Sequence, residues 1–177
     1  MTKTIILFAL IYLFSSCGTG LKISKSKYKQ IDNNFSGTFV NQPSESKGRN
    51  YDPTILKLFE IYNVKADSVY LKFNEDGKLL VIFHDSLHTR TEIFEGRFRK
   101  KGYYEIYLRK KRIYIPLIYS SVNVYRIRIA STIESNLVID NLSQQNGNIF
   151  LLAGGFRVRT QIFFKPYSKT QWQNNAL

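Results

Sequence analysis

The chain has 177 residues and a net charge of +13, from 26 Lys or Arg and 13 Asp or Glu residues. Its 44% hydrophobic and 15% aromatic residues exclude a disordered chain, while 22% charged residues exclude a protein made of many membrane-spanning helices. A chain of this length predicts one domain with one core. We therefore expect a single basic globular domain.

The first residues have the layout of a secretory signal. Lys3 is followed by an apolar stretch from Ile5 to Phe14 and then by Ser15 and Ser16. This stretch is too short to cross a bilayer as a helix, which takes about 20 residues, and its charged, apolar and small parts follow the order of a signal peptide. The sequence predicts removal of residues 1–16, which lowers the net charge by one to +12.

The motif Phe14-Ser15-Ser16-Cys17 resembles the lipobox of bacterial lipoproteins, with Phe where Leu is more usual. In that family the Cys is acylated, for example with palmitate, and becomes the first residue of the mature chain. Cys17 is the only cysteine, so it has no partner for an internal disulfide. The resemblance implies lipidation at Cys17 and a membrane anchor. Gly18 and Thr19 directly after Cys17 include no Asp retention signal, which implies the outer membrane, and no acidic run follows the Cys, which implies the periplasmic face.

The segment after Cys17 carries four lysines and no regular apolar period. These lysines are Lys22, Lys25, Lys27 and Lys29. We interpret residues 17–34 as a lipidated cysteine and a basic tether whose charges can lie against anionic head groups. The predicted organisation is a signal peptide at 1–16, this tether, a β-domain at 35–168 and a polar tail at 169–177.

From residue 35 onward, apolar and aromatic residues alternate at period two, which is the pattern of β-strands. Turn signals separate them at Asp76-Gly77, Lys100-Lys101-Gly102, Asn146-Gly147 and Gly154-Gly155. Residues 52–62 predict one short helix, with Asp52 as its cap. The predicted strands span 35–40, 68–73, 78–84, 89–99, 103–109, 112–119, 122–131, 136–141, 148–153 and 157–165.

These elements predict an all-β fold, an antiparallel up-and-down barrel of about 8–10 strands, because closure removes exposed sheet edges. A two-sheet β-sandwich is the alternative. The strand with Gly37-Thr38-Phe39, the short helix and the hairpins resemble the lipocalin and calycin class. In that class a Trp of the first strand packs beside a basic residue of the last. Here Phe39 stands at the Trp position, with Arg157 or Arg159 as its candidate partner.

A barrel of this size can hold one small ligand. Alternation along the strands makes four aromatic residues candidates for the lining of such a cavity, although the same placement is expected of a solid core. The candidates are Phe39, Tyr70, Phe83 and Tyr107.

Arginines recur in pairs at alternate positions, so both members of a pair emerge on one face of a sheet. The pairs are Arg97 and Arg99, Arg126 and Arg128, and Arg157 and Arg159. They predict either a solvated exterior or a basic face for an anionic partner. Arginines lining a cavity are a third interpretation, and burial would then require compensating anions.

The sequence offers little that would support catalysis. His84 and His88 are four residues apart, but their context is a strand end and a turn, so we expect no metal site and no catalytic triad. No cofactor motif is present, and export of the chain argues against nucleic acid as a partner. We therefore expect a protein that is not an enzyme.

The leading interpretation is an outer-membrane-anchored periplasmic lipoprotein that binds a small apolar or amphipathic ligand. The alternative is a structural or assembly protein of the envelope. In that case the basic face contacts anionic lipid, polysaccharide or a protein partner.

Overall fold

The computed structural model describes residues 27–47, 53–85, 88–116, 118–150 and 152–168. This part of the chain contains eleven β-strands and one helical turn, α1, at Ile55–Leu58. The strands are β1 Tyr28–Lys29, β2 Ser36–Val40, β3 Glu45–Lys47, β4 Ser68–Phe73, β5 Leu79–Asp85, β6 His88–Phe94, β7 Gly96–Arg99, β8 Tyr103–Ile115, β9 Tyr119–Thr132, β10 Leu137–Ile149 and β11 Leu152–Phe164.

The strands form two antiparallel sheets. The larger sheet has the order β3-β11-β10-β9-β8-β7, and β1 adds to it by pairing with the end of β9. The smaller sheet has the order β2-β4-β5-β6. The predicted all-β, antiparallel class is confirmed.

The chain connects the two sheets along two edges. At one edge only Glu95 separates β6 of the smaller sheet from β7 of the larger one. At the other edge the residues that follow β11 pair with β2: Val40 N–H donates to the Lys165 carbonyl at 3.0 Å, and Tyr167 N–H donates to the Thr38 carbonyl at 2.8 Å. Both sheets therefore share one interior.

Apolar side chains from the facing sides of the two sheets fill this interior. Leu71 and Val81 of the smaller sheet and Ile129 and Ile139 of the larger sheet belong to one buried cluster. Tyr104 is fully buried among them, and its hydroxyl donates to the Gly77 carbonyl at 2.9 Å. A buried tyrosine hydroxyl needs such a partner.

Helix α1 closes one side of the core. Thr54 caps it by accepting a hydrogen bond from Lys57 N–H at 3.2 Å. The predicted cap, Asp52, lies outside the described residues. The helix is shorter than the predicted 52–62 because Glu60 takes a left-handed conformation, with a φ of 59°, and ends it.

Two predicted turns are correct and two are wrong. Gly77 and Gly102 have φ angles of 71° and 84° and lie in turns. Asn146-Gly147 and Gly154-Gly155 instead pair with each other inside one hairpin, in which β10 ends at Ile149 and β11 begins at Leu152. The continuous ladder with the neighbouring strands outweighs these local turn signals.

Several predicted strand boundaries are also wrong. Residues 103–109 and 112–119 were expected as two strands, but 103–115 form the single strand β8, and Pro116 lies in the turn that follows. The predicted strand 89–99 is divided between β6 and β7. The fold also begins before residue 35, since Tyr28 pairs with β9 and Ile31 is buried.

Gly96, at the crossing between the sheets, provides a test of the fold. A Cβ there would lie 2.5 Å from the Tyr104 ring and 2.6 Å from the Glu105 carbonyl oxygen. Because that carbonyl is fixed in the ladder, Gly96→Ala is expected to lower the free energy of unfolding by about 1–3 kcal/mol in urea denaturation followed by circular dichroism. Gly154→Ala, where a Cβ meets nothing within 4 Å, is the matched control and is expected to be neutral or slightly stabilising. Equal losses in the two variants would contradict this account.

Candidate functional site: the arginine face

All six paired arginines emerge on the outer face of the larger sheet, as their spacing predicts. The pairing register brings Arg97 and Arg128 to either side of Glu105 on β8. On β10, Asp140 lies opposite Arg128, and Leu142 lies between Arg126 and Arg159. We name this surface the arginine face: Arg97, Arg99, Arg126, Arg128, Arg157 and Arg159, with Glu105 and Asp140 among them.

Glu105 is the anion around which four of the arginines gather. Its side chain is only 1% exposed. Arg99 Nε donates to Oε1 at 2.9 Å, and Arg128 Nε donates to Oε2 at 2.8 Å. Arg97 and Arg126 each place a guanidinium nitrogen 3.8 Å from the carboxylate. One carboxylate thus links strands β7, β8 and β9.

The protonation of Glu105 follows from these contacts. Burial by itself would raise the pKa of its carboxyl group, but hydrogen bonds from Arg99 and Arg128 outweigh burial and lower the pKa below the ordinary value of 4.5. Glu105 is therefore ionised at neutral pH.

Asp140 forms the second ion pair of the face. Arg159 donates to its Oδ2 from Nε at 2.8 Å, and Arg159 Nη2 lies 2.7 Å from the same oxygen. Burial raises the pKa of the Asp140 carboxyl above its ordinary value of 3.8, and Arg159 opposes that shift only in part. The two acids of the face therefore have pKa values shifted in opposite directions.

Several polar atoms beside these ion pairs are buried without a hydrogen-bond partner in the described part of the chain. They are Asp140 Oδ1, Arg126 Nε and both amide atoms of Gln161, which lies opposite Asp140 in the ladder. Unpaired buried polar atoms are costly, and a bound polar group would relieve that cost.

The arginines differ in how far they reach into solvent. The Arg97 side chain is 57% exposed and Arg157 is also exposed, whereas the Arg128 side chain is 4% exposed. Arg128 also lies over the Tyr103 ring, with its guanidinium carbon 4.8 Å from the ring centroid. Arg97 and Arg157 can therefore contact a partner directly, while Arg128 contributes mainly through its charge.

The four aromatic residues proposed to line a cavity do not meet in one place. Phe39 and Phe83 belong to the filled core. Tyr70 lies on the opposite face of the smaller sheet, between Thr38 and Ile82, and Tyr107 is on the outer face of the larger sheet beside Arg126. Tyr70 and Phe83 both contribute to a shallow groove of about 340 Å³.

The expected pairing of Phe39 with Arg157 or Arg159 is wrong. Both arginines belong to the arginine face, on the outer side of the larger sheet, whereas Phe39 is in the interior. Phe39 pairs with Val69 on β4, and on its other side it forms a bridge to Pro166, just after β11.

His84 and His88 lie on the adjacent strands β5 and β6, but their side chains do not meet. His84 is opposite Thr89 and His88 is opposite Asp85, one position along, so the two side chains point to opposite faces. Among the described residues, no cluster of three or more His, Cys, Asp or Glu side chains is arranged to hold a metal ion. Cys17 lies outside the described residues.

Comparison with protein-family models, curated proteins and solved structures gave no match. Within the described ranges, no helix is both long and apolar enough to span a bilayer.

Sequence reasoning identified the six arginines but not the acids that organise them. The side chains of Glu105 and Asp140 both lie on the outer face, yet nothing in the chain order relates Glu105 to Arg128, 23 residues away, or Asp140 to Arg159, 19 residues away. The usable signal was a lone acid in a long basic strand, since such a charge needs partners if it is buried.

The central role of Glu105 can be tested by removing its charge. Glu105→Gln leaves the buried Arg128 without its anion, so the free energy of unfolding is expected to fall by about 3–5 kcal/mol at pH 7. Glu95→Gln, which removes an exposed carboxylate 2.8 Å from Lys78, is the matched control and should change stability far less.

The free energies of unfolding of wild type and Glu105→Gln should also depend differently on pH. Because the folded-state pKa of Glu105 lies below its unfolded value near 4.5, the stabilisation is complete above about pH 4.5 and is lost as the pH falls through the folded-state pKa. The stability difference between wild type and Glu105→Gln should therefore shrink in acid. A difference that stays constant from pH 7 to pH 3 would contradict the assignment.

Proposed function

We propose that the chain is an exported, lipid-anchored envelope protein whose folded domain is a non-enzymatic interaction module, and that its arginine face contacts an anionic envelope component. The observation that carries this proposal is the charge imbalance of the face, which six arginines share with Glu105 and Asp140. The remaining positive charge needs an anion from outside the described residues or from solvent. Guanidinium groups pair best with carboxylate and phosphate oxygens, often through two parallel hydrogen bonds.

The arginines of the face differ in exposure, and we expect the exposed and the buried ones to contribute differently to binding. Arg97 on β7 and Arg157 on β11 are exposed and lie at opposite edges of the face, so an extended anionic polymer can reach both. Arg126 and Arg128 are more buried and raise the local potential without needing to move. A partner that carries several phosphates or carboxylates fits this arrangement better than a single small anion.

Removing the two exposed charges tests this function. The Arg97→Gln/Arg157→Gln double variant should bind a phosphorylated core oligosaccharide, freed of its lipid, about tenfold more weakly than wild type in fluorescence anisotropy titrations. Lys57→Gln/Lys65→Gln removes the same charge from exposed positions away from the face and should bind as wild type does. Equal weakening in both double variants would show that only net charge matters and would contradict the proposal.

The barrel form of the fold is part of the same proposal. The hydrogen bonds of Val40 and Tyr167 at one edge, and the passage of the chain from β6 to β7 at the other, support a sheet that curves round on itself. The domain would then resemble calycin barrels in shape. Those barrels hold apolar ligands, whereas the interior of this domain is filled by side chains.

The groove beside Tyr70 favours a second candidate function, the binding of a small apolar or amphipathic molecule. It is lined by Tyr70, Ile82 and Phe83 together with Thr38, Ser68 and His84. Native mass spectrometry of the wild-type protein used in the anisotropy titrations separates the two candidates. A stoichiometric apolar molecule would favour the groove, and its consistent absence would favour the arginine face.

The lipid anchor depends on the lipobox-like motif that ends at Cys17. In Gram-negative cells grown with labelled palmitate, the wild-type chain should incorporate label and fractionate with the outer membrane, and Cys17→Ser should lose both properties because it lacks the thiol that is acylated. Ser24→Ala, a substitution of similar size in the predicted tether, is the control and should keep them. Label in Cys17→Ser would contradict the anchor.

A further inference from the structure

Strands β8 to β11 extend beyond the part of the fold that the smaller sheet and α1 cover. Near the end of α1, the Tyr125 hydroxyl on β9 donates to the Leu58 carbonyl at 3.2 Å. From Tyr125 to Tyr119 the strands run on for about 20 Å. All residues of β8 from Arg109 to Ile115 are exposed along this length.

The end of this extension is apolar. Two neighbouring hairpins, β8 with β9 and β10 with β11, present six large apolar side chains to solvent, with Phe150 66% and Leu152 82% exposed. We name this set the apolar tip: Tyr114, Ile115, Ile118, Ile149, Phe150 and Leu152. A contiguous exposed apolar surface of this kind marks an interaction site in a folded protein.

The tip is a defined structure rather than two separate turns. The backbone N–H of Phe150 donates to the Ile118 carbonyl at 2.7 Å and so joins the two hairpins. Phe150 holds this position with a φ of 52°, a conformation that Gly or Asn adopts at much lower cost. An apolar aromatic residue is therefore kept at a strained and exposed position where folding alone would favour a different residue.

The charge around the tip is uniformly positive. Lys110, Lys111 and Arg112 are exposed on β8 just before the tip, and we name them the cationic collar. The sequence has no Asp or Glu between Glu105 and Glu134, and none after Asp140. Charges on an edge strand also discourage aggregation, but that role does not explain the apolar residues placed beyond them.

From these features we propose that the apolar tip inserts into the interfacial region of an anionic lipid bilayer, with the cationic collar at the level of the head groups. Aromatic and aliphatic side chains next to Lys and Arg match the two layers of that interface. Insertion is shallow, because β8 and β11 are edge strands over this length and their free backbone groups must stay in water or among head groups. Neither the arginine face nor the Cys17 anchor takes part in this insertion.

A local fluorescent reporter tests the insertion of the tip itself. The full chain carries Cys17→Ser and Trp172→Phe throughout, and a single tryptophan is introduced either by Tyr114→Trp at the tip or by Ile133→Trp. Ile133 is 69% exposed and follows the opposite end of β9, roughly 40 Å away, so it serves as the matched control. The probes are phosphatidylcholine vesicles with or without phosphatidylglycerol, containing lipids brominated near the head group.

The tryptophan at position 114 should shift to the blue and be quenched in the phosphatidylglycerol vesicles, and the one at position 133 should not. In phosphatidylcholine alone, half-maximal quenching at position 114 should need about tenfold more lipid. Lys110→Gln/Lys111→Gln/Arg112→Gln should remove this preference for anionic lipid. Equal quenching at the two positions, or none at position 114, would overturn the proposal.

Phe150→Asn separates insertion from folding. Asn tolerates a positive φ, so the variant should be at least as heat-stable as wild type, while loss of the aromatic ring should raise the lipid concentration for half-maximal quenching about tenfold. Wild-type quenching in this variant would overturn the proposal. A second result would also overturn it: sedimentation without lipid shows that the wild-type chain is a dimer and that Phe150→Asn dissociates this dimer. The tip would then be covered by a second copy of the chain.

Discussion

A mismatch in strand length governs the surfaces of this protein. Strands β8 to β11 have 13 or 14 residues, whereas the strands of the smaller sheet have five to seven. Where the two sheets overlap, the alternation of side chains places one set of apolar residues in the core between the sheets and the arginines on the outer face. Beyond the overlap the same alternation continues where the smaller sheet no longer lies over it, and apolar residues become exposed at the tip.

The arginine face and the apolar tip are therefore two products of the same four strands. On the outer face, the ladder positions arginines from β7, β9 and β11, and the buried Glu105 makes their close approach tolerable. At the distal end, the backbone N–H of Phe150 joins one hairpin to the other. The first surface suits the extended polyanion that we propose as its partner, and the second suits a lipid interface.

Sequence reasoning was accurate where the signal is local and repeated. The strand Ser68–Phe73 was predicted to the residue, and the turns at Gly77 and Gly102 are correct, because alternation and positive φ are local properties. It was wrong at Asn146-Gly147 and Gly154-Gly155. There the two turn signals face each other across a ladder, and pairing with neighbouring strands outweighs them.

The sequence by itself determined the all-β class, the common face of the six arginines and the basic character of the chain, because composition and period-two spacing are sufficient for these. The tertiary structure decided which residues meet. It placed Phe39 and Phe83 in the core, Tyr70 and Tyr107 on outer faces, and Glu105 among four arginines. Pairing register and the relative lengths of strands distant in sequence determine such contacts, and no local pattern encodes them.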